Sequence, residues 1–502
     1  MRRRVLRAVA GMPALWLAGL APARAALPSY RLVDRLSWGV SDAELALATR
    51  LGSAGYIALQ LDAQAGAELP AEAEAQLAAC SSLRQPLLET LVAVEAQRKA
   101  AEAVADEEGR NVARDAYTRE LNRRVREAAA RHLLRALYSR AQLREQMTWF
   151  WFNHFSVFQY KSYIRAMLAD YEESALRPHA LGSFRAMLGA VAQHPAMLRF
   201  LDNELNLAGR GNENYARELL ELHTLGVDGG YGQRDVQELA RVLTGHGINL
   251  GEPPALKPDL QPLYVRRGAY EFNPARHDFG DKQILGRTIR GRGAAELDEV
   301  LDLLAAHPAS ARFVCRRIAT WMVADQPPAA LVERMATAFA GGDIRAALEV
   351  LVQDPVFAEG PDKFKDPAHF VLSALRAAYD RRVVLDTAPI QGWLSRLGEG
   401  LYNRASPDGY PLVSEAWNGS GQLAARFEVA RAIGRDGAGL FKAAENMAPA
   451  QAAGFPQLAR ASYYDARAQA RMRAQTRRAL ESAQTTQDWN ALYLSSPEFM
   501  MR

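Results

Sequence analysis

Cysteine is almost missing from this chain. Two residues, Cys80 and Cys315, stand among 502, and neither belongs to a Cys-x-x-Cys pair. Thiol redox chemistry and cysteine-based zinc sites therefore gain no support, and one disulfide between the two would decide little about so long a chain. Several catalytic signatures are absent too. There is no Gly-x-Ser-x-Gly elbow, no His-Glu-x-x-His, no Walker loop and no dinucleotide fingerprint. That removes the sequence case for a serine hydrolase, a zincin, an NTPase or a nicotinamide enzyme. Beyond the N-terminus no apolar run is long enough to span a bilayer.

The N-terminus reads as an export signal over residues 1–25. Arg2, Arg3, Arg4 and Arg7 supply positive charge, Ala8 to Leu20 the apolar stretch, and Ala23-Arg24-Ala25 a small-x-small cleavage site. A general secretory signal accounts for this. The string from Arg2 to Arg7 also partly resembles a twin-arginine signal, which would mean export after folding. The segment's five arginines leave 56 bases against 57 acids, so the formal +4 of the whole chain falls to about −1. With bases scattered among acids, nothing points to nucleic acid. The expectation is a periplasmic or secreted protein with no membrane span once the signal is removed.

Ala, Leu, Arg and Glu dominate, and apolar residues recur at three and four, so the expected fold is all-α. It should be a multi-helix orthogonal or bundle-like array with long irregular loops and little or no β. Three regions follow the signal. Residues 26–139 hold charged, alanine-rich helices, which from Ala71 to Ser139 read as a helical hairpin with a solvated face. Residues 140–292 hold a motif-bearing helical core, where Gly226 and Gly245 stand as helix-ending glycines. They close on an irregular, proline- and glycine-rich segment from Ile248 to Arg292. Residues 293–502 return to helix.

The most informative stretch runs from Asn214 to Gly226. At about 100° per residue, Asn214, Glu218 and Glu221 fall on one stripe with Arg217 at its edge, while Tyr215, Leu219, Leu220 and Leu222 cover the rest. A helix apolar around most of its circumference should be buried, holding the two carboxylates inside the protein. At i,i+3 both can reach one point in space. That suits a divalent metal, or one carboxylate with a raised pKa acting as acid or base. It suits equally a structural network neutralised by Arg217 and other arginines. His223 would point away from the stripe on a continuous helix, and its place in the last turn favours a structural role.

These residues also carry a resemblance. Asn153-His154-Phe155, the run from Arg177 to Phe184, Gln193 to Leu198, Asn212 to Gly226, Ala240 to Gly245, His277-Asp278 with Lys282 to Gly286, and Ser406 to Pro411 are together similar to the bacterial domain of unknown function 1800 family. The similarity extends from about Leu32 to Phe499. It implies the location of a site rather than a reaction. It further implies a partner, because members of the family are commonly encoded beside a second exported family. His246 stands where relatives more often carry tryptophan, which argues against an essential ligand there.

The remaining candidates are weighed one by one. Asn153 and His154 sit within the aromatic run Trp149 to Phe155 and must be hydrogen-bonded, either lining a cleft or metal site or forming a satisfied core pair. His277, Asp278 and Lys282 lie in the irregular segment, where loop position favours function and a backbone-bonded turn is the alternative. Arg177 and His179 flank Pro178 at a helix start, and Arg177 could hold an anion or pair with the acidic stripe. His194 and His307, each before a proline, read as structural.

Two functions remain open. In one, Glu218, Glu221, His154, His277, Asp278 and Lys282 converge in an exported hydrolytic or oxidative enzyme. Asn153, Asn214, Arg177 and His179 would then bind a cofactor, with Glu218, Glu221 and His154 on a divalent metal. In the other, the chain is a scaffold or assembly factor for a second exported protein, docking through the charged helices.

Overall fold

Residues that lose little rotamer freedom on entering a helix fill most of the chain, and the backbone follows them. A computed structural model describes residues 30–62, 66, 68–437, 439–442 and 456–502. The expected export segment, 1–25, lies outside the described residues. Among these residues 22 α-helices stand against five strands of three residues each, so the fold is all-α. No described helix is long and apolar enough to cross a membrane. Cys80, half-buried, and Cys315, buried, are both unpaired.

The expected charged hairpin is present as Leu87–Glu102 and Glu107–Tyr138. Its charges pair along the helices, Arg98 with Glu95 at 2.7 Å and Arg123 with Glu120 at 2.8 Å, which is how a solvated face behaves. The next helix, Gln142–His154, is buried at every position but Arg144. Its aromatic residues pack edge-on and stacked, and Trp151 donates its indole N–H to Ala180 O at 3.0 Å. This helix runs through one continuous hydrophobic cluster that includes Leu32, Trp151, Leu219, Ile318 and Met500. His194 and His307 each cap the helix that their following proline opens, Nδ1 accepting from Ala196 N at 3.0 Å and Ala309 N at 3.2 Å.

The segment between Ile248 and Arg292 is more ordered than its composition indicates. With His246 it carries all five strands: β1 (His246–Ile248), β2 (Val265–Arg267), β3 (Tyr270–Phe272), β4 (Lys282–Ile284) and β5 (Arg287–Ile289). The first three form an antiparallel sheet in the order β1-β3-β2, and β4 and β5 form a hairpin. Three-residue strands are too short for alternation to show in a sequence. The hairpin turn places Leu285 and Gly286 at φ of 50° and 75°, the conformation a two-residue connection requires.

A buried ion cluster fixes this segment to the helical core. The Glu296 carboxylate, with no side-chain exposure, takes His277 Nε2 at 2.9 Å and the Lys282 ammonium, and it accepts from Arg292 N and Gly293 N at 2.7 and 2.8 Å. The other His277 nitrogen lies 2.8 Å from Thr244 O, while Asp278 is held by Arg241 at 2.9 and 3.0 Å. Arg241 holds the Asp278 carboxyl down at about 2. A charge cluster so fully answered is structural. Removing Glu296 leaves a buried ammonium without its counter-ion, at a cost of about 3–5 kcal/mol. Glu296→Ala should therefore lower the urea midpoint steeply while the transition stays cooperative; an unchanged midpoint would contradict the assignment.

Candidate functional site

The helix carrying the acidic stripe is short, Asn214–Glu221. It buries Tyr215, Ala216, Leu219 and Leu220, leaves Asn214 exposed, and keeps Arg217, Glu218 and Glu221 half-exposed. The expectation of two carboxylates enclosed in the protein is thus corrected. Eight residues give one buried face, and the polar stripe lies at its solvent edge. Arg217 pairs with Glu213 at 3.1 Å and bonds Gln233, and among the described residues neither Glu218 nor Glu221 has an arginine or lysine partner. Partial burial and the neighbouring Glu221 raise the Glu218 carboxyl pKa. Burial, then the Glu221 charge, raise the Tyr231 hydroxyl pKa.

After Glu221 the backbone leaves the α-helical path. Both Leu222 N and His223 N bond Glu218 O, at 2.9 and 3.0 Å, and Leu225 N reaches back five residues to Leu220 O at 2.8 Å. Gly226 ends the turn at φ 80°, where a Cβ would sit 2.7 Å from the Phe313 ring. His223 lies on the buried side with Tyr215, Leu219 and Leu220, away from the half-exposed Glu218/Glu221 stripe, as expected. His223 is wholly buried beside Phe155 and Tyr215, with ring centroids at 5.1 and 6.4 Å, and neither of its nitrogens has a hydrogen-bond partner.

His154 ends the aromatic helix and faces the same place, its ring 6.3 Å from that of His223. Its Nε2 lies 3.0 Å from His223 O. A carbonyl only accepts, so this nitrogen carries the proton and Nδ1 is left as a buried lone pair without a partner. Arg317, from the helix Pro308–Met322, packs its guanidinium over Phe313 at 5.7 Å. Burial, then the Arg317 charge, push His223 down to about 3 and hold His154 well below the usual imidazole range. Both imidazoles are neutral at physiological pH.

Asn153, next to His154 on the aromatic helix, ties in a distant loop. Its side chain donates to Tyr410 O at 2.9 Å and accepts from Tyr410 N at 2.5 Å, clamping the loop 406–411 to the aromatic helix. Gly409, at φ 76°, is required there, because a Cβ would lie 2.0 Å from Asn153 O. The clamped loop brings Asp408 close enough for its charge to act on both Arg317 and Glu218.

Other expected site residues lie elsewhere. Arg177 pairs with Glu145 at 2.6 Å rather than with the acidic stripe. His179 is half-buried in the short turn Arg177–His179. Asn214 donates to Leu201 O at 3.2 Å. His277, Asp278 and Lys282 belong to the Glu296 cluster. Among the described residues no three His, Cys, Asp or Glu side chains gather to hold a metal. Glu218, Glu221 and His154 therefore do not form the expected divalent site, and no step is routed through a metal below. Arg317 and Asp408 were not marked by residue type or spacing. Only the length of the Ser406–Pro411 motif pointed to Asp408.

Residues 31–501 match the family described as Protein of unknown function (DUF1800), and the chain belongs to it. No curated protein and no solved structure matches significantly.

The neutral imidazoles give this core a pH signature. The unfolded chain protonates His223 near pH 6.5, but the native state does so only near about 3. His246 behaves alike, pushed to about 3 by burial and His277. The unfolded state thus binds more protons across this window, so stability falls as pH drops below 6.5, by about 1.4 kcal/mol per pH unit for each imidazole. His223→Gln should flatten the loss between pH 6.5 and 4.5 in urea titrations; an unaltered slope would refute a buried neutral His223.

Proposed function

We propose that the chain is an exported hydrolase acting by proton transfer at the His154–His223 pair, with the half-exposed Glu218/Glu221 edge as its entrance. One observation carries this reading. Three imidazole nitrogens gather in one buried spot without a partner among the described residues, and buried polar groups are ordinarily bonded. The free Nδ1 lone pair of His154 is suited to take the proton of an attacking water. Glu218 and Glu221, half-exposed on the helix that leads to His223, would face the incoming substrate. The Arg2-to-Ala25 segment supports export.

A panel of ester, amide, phosphate and glycoside substrates, assayed with protein recovered from the periplasm or medium, tests the reading. Turnover should fall about 10²–10⁴-fold in His154→Gln and in His223→Gln, with melting temperatures close to the parent's. Absence of turnover across the panel, or turnover that both variants retain, would refute it.

A further inference from the structure

A groove of about 440 Å³ opens between the helices Ser420–Arg435 and Thr486–Leu494. Phe427, Arg431 and Arg435 line it from the first helix, and Asp488, Ala491 and Leu492 from the second. Its walls are fixed from behind. The helices close on each other at Gly434, where a Cβ would lie 3.0 Å from that of Asn490, and Asn490 donates to Gly434 O at 2.9 Å. On the inner face, wholly buried Arg426 lies over the Phe364 and Phe370 rings at 4.7 and 4.9 Å and donates to Lys365 O at 2.8 Å. The groove is therefore preformed, and an occupant need not open it.

The outer face of the first helix is unpartnered. Leu423 and Phe427, one turn apart, are 41% and 42% exposed, far more than a helix that hides its apolar residues would allow. The next two turns bring Arg431 and Arg435, both exposed, and neither has an ion pair or a hydrogen bond among the described residues. Arg431 does not pair with Glu428 three residues before it, and the Asp488 carboxylate accepts instead from the Thr485 hydroxyl at 2.6 Å. On the charged hairpin, by contrast, Arg98 and Arg123 find glutamates on their own helix. Aromatic side chains beside arginine are what protein interfaces concentrate.

We propose that this groove docks an acidic amphipathic segment of a second protein, its apolar side chains on Phe427 and Leu492 and its carboxylates on Arg431 and Arg435. A guanidinium meets a carboxylate in a planar, two-pronged pair, so the two free arginines select the sign of the partner. A basic segment would meet them with like charge, and a wholly apolar one would cover them unpaired. This docking shares no residue with the His154–His223 site, so it stands or falls apart from the hydrolase reading.

The test is fluorescence anisotropy of the full chain with two labelled peptides of one design, leucine and phenylalanine on one helical face and either glutamate or lysine on the other. The glutamate peptide should bind at least about tenfold more tightly than the lysine peptide. The double variant Arg431→Glu/Arg435→Glu should weaken it by about tenfold or more and reverse the preference, so that the lysine peptide now binds better. Phe427→Ser should weaken the glutamate peptide by about tenfold with the preference kept. All three side chains are exposed, so each variant should keep the parent's urea midpoint, which checks the fold. Equal binding of the two peptides, or glutamate-peptide binding indifferent to either variant in a folded protein, overturns the proposal. So does sedimentation with phosphatidylglycerol vesicles that the parent shows and the arginine variant loses, which would make this face a lipid seat.

Discussion

The side-chain amide of Asn153 is the interaction on which the candidate site depends. A backbone N–H and a backbone C=O of Tyr410 are both satisfied by one carboxamide across 257 residues of sequence. That pairing brings the loop so close that position 409 has no room for a side chain, and the backbone there turns through a conformation that only glycine adopts cheaply. Everything at the site's outer edge, including the placement of Asp408 near Arg317, follows from this contact.

Elsewhere the fold answers its buried charges in another currency, the backbone carbonyl. Arg35, fully buried, donates to Val356 O at 2.9 Å, Phe357 O at 2.7 Å and Val323 O at 3.2 Å, tying the first described helix to the C-terminal half. Glu172, presented by the π-helical turn Tyr171–Leu176, meets His132 at 3.1 Å and the Tyr402 hydroxyl at 3.0 Å. Burial alone would raise its pKa; His132 and Arg131 instead hold it at about 2. Against that background, His223 is the buried histidine among the described residues for which neither nitrogen is bonded. The contrast, more than any motif, separates the site from the scaffold.

Much of the fold was legible because helix periodicity is local. Runs such as Glu107–Tyr138 repeat their pattern over many turns, and the His-Pro caps and the glycines at 226 and 245 mark the ends. The site was legible in part. His154 and the Glu218/Glu221 pair announced themselves by residue type in apolar company. His223 lies away from the acidic stripe, as a wheel projection places it; what the projection cannot show is that neither of its nitrogens is bonded. Arg317 left no signal at all, since one arginine among many becomes distinctive only when the absence of its partner is visible in three dimensions. His277, Asp278 and Lys282 were seen without their partners for the converse reason. Their counter-ion, Glu296, lies at the start of the following helix, where it looks like an ordinary first-turn acid.

The wide spacing of the site along the chain bears on how it comes into being. Asn153, His223, Arg317 and Asp408 belong to segments that meet only after four-fifths of the polypeptide is available, and contacts so distant in sequence are slow to form. A chain emerging from the ribosome could complete its charged hairpin and aromatic helix early. Its last pieces would come together only when the loop around Tyr410 had closed on Asn153. Any form of the protein that ends before Tyr410 would therefore lack the clamp on Asn153 altogether.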